Sequence, residues 1–135
     1  MRIKILVFPC GSEIGLEYFR LLSKSRHLDL WGGSSTDDHG SFVYENYIGN
    51  LPFIESENFL PVLKDLVLNH KFDAIIPAMD SVVTYLKSNE NELNCKVISS
   101  TLLTTELCLS KKLTYDFLGQ CVTVPQLINT KNKKN

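Results

Sequence analysis

The sequence lacks both a long apolar run and an excess of charge of either sign. The apolar run Ile5–Phe8 ends at Pro9, short of the roughly 7–15 apolar residues of a secretory signal. No other stretch approaches the roughly 18 apolar residues of a membrane span. Lysine plus arginine number 14, aspartate plus glutamate 15, and the formal net charge is -1. Binding to nucleic acid or to an anionic membrane requires clustered positive charge. We therefore expect a cytoplasmic protein whose partners include neither nucleic acid nor a membrane.

Paired cysteines and recognisable catalytic motifs are also missing. Four cysteines (Cys10, Cys95, Cys108 and Cys121) are scattered without a CxxC pair, whereas metal and redox motifs need two thiolates presented by one turn. We expect buried, reduced thiols. The reactivity of Cys10 stays open, because this residue begins a loop at a predicted ligand crevice. No Ser–His–Asp, HExxH or P-loop pattern occurs, so the sequence predicts no catalytic residue and no metal site.

What the sequence does contain is an alternation of buried strands and amphipathic helices. Four short, largely apolar segments are predicted to be strands, and the first, with its β-branched residues, is typical of a strand buried on both faces. They are Ile3–Phe8, Leu28–Trp31, Asp73–Ala78 and Cys95–Ile98. Strand, glycine-containing turn, helix and strand follow one another at the start of the chain. This order predicts an α/β fold: a Rossmann-like three-layer domain with a mostly parallel four- to five-stranded sheet.

Apolar residues recur at helical spacing between these runs. The first helical stripe consists of Ile14, Tyr18, Leu21 and Leu22. A second helix is expected over Asn58–Asn69. Asp80 either caps the short helix after the third strand or contacts a ligand. The segment Phe42–Ile48 forms either a short strand or an irregular apolar flap.

The pattern changes after the fourth strand. Hydroxyl residues are followed by Ser110, the expected N-cap of a helix over Lys111–Leu118. This part has too few apolar residues for a core of its own. We therefore divide the chain into a Rossmann-like domain at 1–100, a second segment at 101–128, and a disordered basic tail at 129–135.

Small, hydroxyl and acidic residues follow the predicted strands. In open parallel sheets, ligands bind outside the carboxyl ends of the strands, where loops and helix N-termini converge. The candidate substrate-binding residues are Gly11, Ser12, Glu13, Gly15, Asp37, Asp38, His39, Asp80 and Ser81. A further loop, Ser99–Thr101, has a similar composition. These residue types suit a polar or anionic small molecule.

The first of these loops, CGSEIG, allows two interpretations. Backbone N–H groups at the helix start hold a carboxylate or phosphate, or Gly11 and Gly15 only permit the turn and the packing. Dinucleotide binding is disfavoured, because Glu13 replaces the middle glycine of GxGxxG and Gly33-Ser34 replaces an acidic ribose ligand. The run Asp37-Asp38-His39 has no further ligand at a set spacing and is typical of a solvated turn.

Three stretches together resemble the N-terminal domain of carbamoyl-phosphate-synthase-like ATP-grasp proteins. They are FPCGSEIGLEYFRLLSKSRH, SSTDDHGSFVYENYIGNLPFI and IIPAMDSVV. The stretch LSKKLTYDFLGQCVTVPQ resembles the opening of the ATP-grasp module itself. The resemblance implies that residues 101–128 are the truncated start of that module. It also implies that Lys112 contacts the nucleotide.

The same resemblance implies a reaction class and its cofactors. ATP-grasp enzymes phosphorylate a carboxylate with Mg-ATP and let an amine attack the acyl phosphate. A small carboxylate substrate and the remainder of the enzyme are then the expected partners, with ATP and Mg as cofactors of the full-length family member. The glycine-rich phosphate loop, the later nucleotide-binding lysine and the acidic Mg ligands of the family have no counterpart in this sequence. We therefore expect no cofactor for this chain alone and no catalysis by it, and we leave open whether it is an enzyme.

Two alternatives belong to other functional classes. The first is a non-catalytic Rossmann-like module that binds a ligand or forms a homodimer, through an apolar surface around Phe42–Phe53. The second is a small NAD(P)- or nucleotide-binding protein, against which Glu13 argues.

Overall fold

A five-stranded sheet forms the centre of the molecule, in a computed structural model that describes residues 2–126. The strands are β1 (Ile3–Phe8), β2 (Leu28–Gly33), β3 (Asn46–Ile48), β4 (Ala74–Pro77) and β5 (Lys96–Val97). Their order is β3-β2-β1-β4-β5, and every pairing is parallel. The mostly parallel sheet predicted from the sequence is confirmed. The predicted tail at 129–135 and the last two residues of the predicted 101–128 segment lie outside the described residues.

Helices cover both faces of this sheet and make the three predicted layers. They are α1 (Glu13–Leu22), α2 (Gly40–Val43), α3 (Phe59–His70), α4 (Asp80–Ser88), α5 (Glu90–Leu93), α6 (Leu102–Leu109) and α7 (Lys111–Leu118). Successive residues of β1 point to opposite faces. Leu6 and Phe8 therefore join the core cluster that holds the buried residues of α3 and α4. Ile5 and Val7 join the cluster against which α1 packs.

Helix α1 forms as predicted, and two residues of its predicted stripe, Tyr18 and Leu22, pack against the core, but the other two do not. Ile14 and Leu21 are 52% and 74% exposed, whereas Gly15 is buried and Phe19 packs against the core. The helix meets the sheet at Gly15, and the residues three, four and seven positions after it, Tyr18, Phe19 and Leu22, therefore make the contact. The interpretation of Gly15 as a packing glycine agrees with this contact, whereas the apolar spacing in the sequence did not include Phe19 in the stripe.

The segment Phe42–Ile48 divides into two elements. Its first residues finish the single turn of α2, and its last three form β3. β3 pairs in parallel with β2, with Trp31 opposite Asn46 and Gly33 opposite Ile48. The end of β3 therefore points to the same edge of the sheet as the ends of β1, β2 and β4.

The C-terminal helices differ in how they are held. α6 begins at Leu102, where the hydroxyl of the N-cap Thr101 accepts the N–H of Thr104, and it packs against α4. Ser110 caps α7 as predicted, accepting the N–H of Leu113. α7 has no buried residue. Within residues 2–126, no helix combines the length and the hydropathy needed to cross a bilayer.

Candidate functional site

The sheet reverses its strand order between β1 and β4, and Ser12 connects the ends of these two strands. The Ser12 hydroxyl lies 3.0 Å from the carbonyl oxygen of Pro9 and 3.2 Å from that of Ala78. It also accepts the N–H of Gly15 at 3.0 Å, which caps α1. Parallel sheets bind ligands at this point of reversal. Ser12 therefore fixes the geometry of the edge at which a ligand is expected.

An open groove of about 520 Å³ runs along this edge, and we call it the β1–β4 groove. Its lining residues are Ser12, Glu13, Ile14, Ala78, Met79, Asp80, Ser81 and Leu109. The structure thus brings together Ser12, Glu13, Asp80 and Ser81 from the predicted set. The remaining predicted residues lie in the adjoining loops or in the packing below them.

Asp80 does not cap α4, contrary to one of the two predictions for it. Met79 occupies the N-cap position with no side-chain hydrogen bond, and Asp80 is the first residue of the helix. Its carboxylate is exposed and lies at the positive end of the helix dipole. Asp80 also lines an adjacent cleft of about 230 Å³, to which Ser99 and Ser100 of the fourth predicted loop contribute. Asp80 therefore lies between the β1–β4 groove and this cleft.

Gly11 and Gly15 are required for close packing. A Cβ atom at Gly15 would lie 2.5 Å from the carbonyl oxygen of Cys10 and 2.7 Å from that of Pro9. A Cβ atom at Gly11 would overlap the carboxylate of Asp38. Neither glycine has a positive φ, so the first loop needs them for space and not for a left-handed turn.

The Asp37-Asp38-His39 run is not a uniformly solvated turn. The carboxylate of Asp38 is half-buried, accepts the Ser34 hydroxyl, and accepts the N–H of Gly40 at 2.9 Å. Asp37 and His39 are exposed, and the three residues line a shallow depression of about 160 Å³ together with Phe42. Asp38 therefore fastens the loop after β2 over the loop after β1. Its negative charge opposes an external anion at Gly11.

Cys10, on the floor of the same region, is chemically shielded. Its side chain is fully buried, and burial, with a smaller contribution from the Asp38 carboxylate, raises the pKa of the Cys10 thiol to about 12. Tyr44 packs nearby and donates its hydroxyl to the carbonyl oxygen of Gly15 at 2.6 Å. Burial raises the pKa of Tyr44 as well. Cys108 and Cys121 are exposed, which corrects the expectation that all the thiols are buried.

A second cavity near the groove contains residues that the sequence did not point to. It measures about 200 Å³, and the loop between β3 and α3 contributes Phe53, Ile54 and Glu55 to it. Met79 and Ser81 line both this cavity and the groove. Recognising Asn46–Ile48 as a parallel strand would have placed the following loop at the ligand edge.

The described residues do not by themselves fit Mg-ATP. In the part of the chain that the structure describes, no group of three or more His, Cys, Asp or Glu side chains is placed to hold a metal ion. No lysine or arginine lines the groove or the two cavities beside it. Lys112 is exposed on α7, outside these linings. Phosphoryl transfer depends on such cations and metal ions, so no step of that reaction is assigned to these residues.

Comparison with known proteins identifies the fold. No family model matches the chain, and no curated protein matches it. Among solved structures, the chain is similar to the biotin carboxylase domain dimer of Hydrogenobacter thermophilus 2-oxoglutarate carboxylase, in complex with MgADP and bicarbonate. That match has a TM-score of 0.63 and 15% identity over 89% of this chain and 27% of the other.

Two further solved structures give the same result. Rhizobium etli pyruvate carboxylase matches with a TM-score of 0.61 and 18% identity, over 89% of this chain and 13% of the other. L-amino acid ligase from Bacillus licheniformis matches with a TM-score of 0.61 and 19% identity, over 89% of this chain and 30% of the other. The chain thus spans less than a third of the length of each of these structures. It has the fold of the N-terminal part of ATP-grasp carboxylate–amine ligases.

Proposed function

We propose that this chain is the N-terminal, substrate-side domain of an ATP-dependent carboxylate–amine ligase and is not catalytic alone. The observation that carries the proposal is a fold matched to the N-terminal part of much larger proteins, together with a C-terminal helix, α7, that has no buried residue. Leu113 and Phe117 of α7 are 46% and 57% exposed. Apolar side chains gathered on one short helix mark a surface that another part of a protein covers.

In this proposal, residues 1–100 form the substrate-side domain and residues 101–128 begin the ATP-grasp module. The β1–β4 groove, with Ser12, Glu13, Asp80 and Ser81, forms one wall of the substrate cleft. Lys112 contacts the nucleotide only in the assembled enzyme. ATP and Mg bind to the remainder of the enzyme. The narrower assignment to the carbamoyl-phosphate-synthase-like group is supported by the three quoted sequence stretches.

The proposed function is tested by reconstitution. The chain is combined with the remaining part of the ligase, and ADP release is measured with Mg-ATP and mixtures of carboxylates and amines. We expect ADP release to require both polypeptides. Leu113→Ser and Phe117→Ser should abolish it, whereas Leu68→Ser, at an exposed leucine on α3, should not.

Calorimetric titration of the chain alone supplies the opposing test. We expect no saturable heat with Mg-ATP, NAD or NADP. Saturable binding of NAD or NADP would replace the ligase assignment with a dinucleotide-binding function. Saturable binding of Mg-ATP would mean that the chain holds a complete nucleotide site.

A homodimerisation module is the second candidate, because Phe42 on α2 is 88% exposed. Sedimentation equilibrium over a range of concentrations distinguishes the two candidates. A dimer that Phe42→Ser dissociates would favour this second function. A monomer at all concentrations would exclude it.

A further inference from the structure

The cavity beside the β1–β4 groove has an apolar floor and an apolar rim, and we call it the Phe53–Met79 pocket. Phe8 and Val82 form part of its lining, and both belong to the buried core cluster under α3 and α4. Phe53 and Met79, from two different loops, are 56% and 48% exposed. A ligand that enters here continues the hydrophobic core outward and covers two large apolar side chains that are otherwise in water.

The polar groups of this pocket favour ligands that donate hydrogen bonds. The Ser34 hydroxyl donates to Asp38, and the Ser35 hydroxyl donates to the carbonyl oxygen of Pro52 at 2.8 Å. Both hydroxyl protons are thereby engaged. The Ser35 oxygen keeps its acceptor capacity, whereas the fully buried Ser34 oxygen already accepts the N–H of Thr36 at 3.4 Å. The hydroxyls of Thr36 and Ser81 complete the polar part of the lining and can donate or accept.

The charge of the pocket has one sign. No lysine, arginine or histidine lines it, and Glu55 is the one ionisable side chain among its lining residues. Within residues 2–126, the structure gives the Glu55 carboxylate no salt bridge. A carboxylate or phosphate entering this pocket would meet a like charge and no cation, whereas an ammonium group would meet its counter-charge.

We propose that the Phe53–Met79 pocket binds a small primary amine with an apolar body, its ammonium group facing Glu55 and its body lying between Phe53 and Met79. The identification of this molecule as the amine that the ligase joins to a carboxylate rests on the proposed function. The binding itself does not. The pocket is thus distinct in chemistry from a site for the carboxylate substrate.

Three probes that share a phenylethyl group and differ in charge test the charge preference of the pocket. The chain is titrated with 2-phenylethylamine, 2-phenylethanol and 3-phenylpropionate, and binding is followed by ¹H–¹⁵N correlation spectra. We expect saturable shifts at Phe53, Glu55 and Ser81. The amine should bind roughly tenfold more tightly than the carboxylate, with the alcohol between them, because the two ions interact with Glu55 with opposite signs.

Two matched variants locate the effect. Glu55→Gln should weaken amine binding roughly threefold, to the affinity of the alcohol, as expected for one exposed ion pair. Glu57→Gln removes an exposed carboxylate from the same loop that does not line the pocket, and it should change nothing. Phe53→Ala should weaken all three probes by similar factors.

The proposal is overturned if the carboxylate binds as tightly as the amine, or if no probe gives saturable shifts at the pocket. It is also overturned if Glu57→Gln weakens amine binding as much as Glu55→Gln does. These measurements use no nucleotide and no second polypeptide. Amine binding without ADP release in the reconstituted system would contradict the ligase function and leave the amine site intact. ADP release without amine binding at the pocket would contradict the amine site and leave the ligase function intact.

Discussion

The carboxylate of Asp38 lies directly over Gly11, so closely that a methyl group at Gly11 would overlap it. The Ser34 hydroxyl and the Gly40 N–H hold the carboxylate in that position. Two loops that are distant in sequence are thereby fixed together at the carboxyl edge of the sheet. The shape of this edge therefore depends on the absence of a side chain at Gly11 and on the Asp38 carboxylate, which occupies that space.

Gly11→Ala should destabilise the protein by about 1–3 kcal/mol, because the new methyl group displaces a carboxylate that is hydrogen-bonded on both sides. The measurement is urea denaturation. In an Asp38→Ala background the methyl group has space, so the same substitution should cost much less. Strictly additive costs in the double variant would show that the two residues do not compete for this space.

Tyr44→Phe should destabilise the protein by about 1–1.5 kcal/mol, because the carbonyl oxygen of Gly15 loses a buried hydrogen bond from the Tyr44 hydroxyl. Tyr47→Phe is the matched control. The Tyr47 hydroxyl donates to the carbonyl oxygen of Thr36 at 3.3 Å in an exposed position, so its loss should change stability by less than about 0.5 kcal/mol. Equal thermal-unfolding shifts for the two variants would contradict this assignment.

Glu90 connects β5 to the helices before it and makes stability depend on pH. Its carboxylate accepts the Lys87 ammonium at 2.6 Å and the Val97 N–H at 2.8 Å. The Lys87 hydrogen bond, followed by that of Val97, holds the pKa of Glu90 below its usual range. The unfolded chain therefore takes up the proton first as the pH falls.

Glu90→Gln should cost about 1 kcal/mol at pH 7, and the difference from the wild type should shrink as the pH falls below about 4. This stabilisation is present above the pKa of the glutamate in the unfolded chain, and it is lost as the pH falls through the lower pKa of Glu90 in the folded protein. Glu92→Gln is the control, since its carboxylate only pairs with Lys64 at an exposed position. A cost that grows at low pH would have the wrong sign for this explanation.

Three of the four thiols should react in two classes. Cys108 and Cys121 are exposed, and we expect iodoacetamide to modify both in the native protein at neutral pH. Cys10 is buried, and its pKa is raised to about 12, so it carries almost no thiolate and should react only after unfolding. Peptide mass spectrometry identifies the modified positions. Early modification of Cys10 would mean that the loop above it opens.

Lys112→Ala should leave the stability of this chain within about 0.5 kcal/mol of the wild type, because the side chain is exposed. In the reconstituted ligase, the same substitution should lower the affinity for ATP. Thermal unfolding checks the first statement, and the ATP dependence of ADP release checks the second. A large loss of stability in the isolated chain would make Lys112 structural.

The strands and most of the helices follow from the sequence because their signals are local. The continuous apolar run at Ile5–Phe8 needs two covered faces, and the spacing around Leu63 and Val67 needs one helical face. The polar residues at the strand ends were recognised for the same reason. In a parallel sheet, their position follows from the direction of the strands, and Ser12, Glu13, Asp80 and Ser81 do meet in one groove.

Long-range contacts could not be predicted in this way. The sequence contains nothing to show that Asp38 fills the space over Gly11, or that β3 carries Glu55 to the same edge as Met79. Each contact joins residues from separate loops, and the energy of such contacts depends on how the strands are ordered and paired. The sequence alone determined most of the elements, their parallel arrangement and the edge of the sheet at which a ligand site is expected. Only the tertiary structure decided which polar residues are used in packing and which remain free for a ligand, because that choice depends on distances between side chains far apart in the chain.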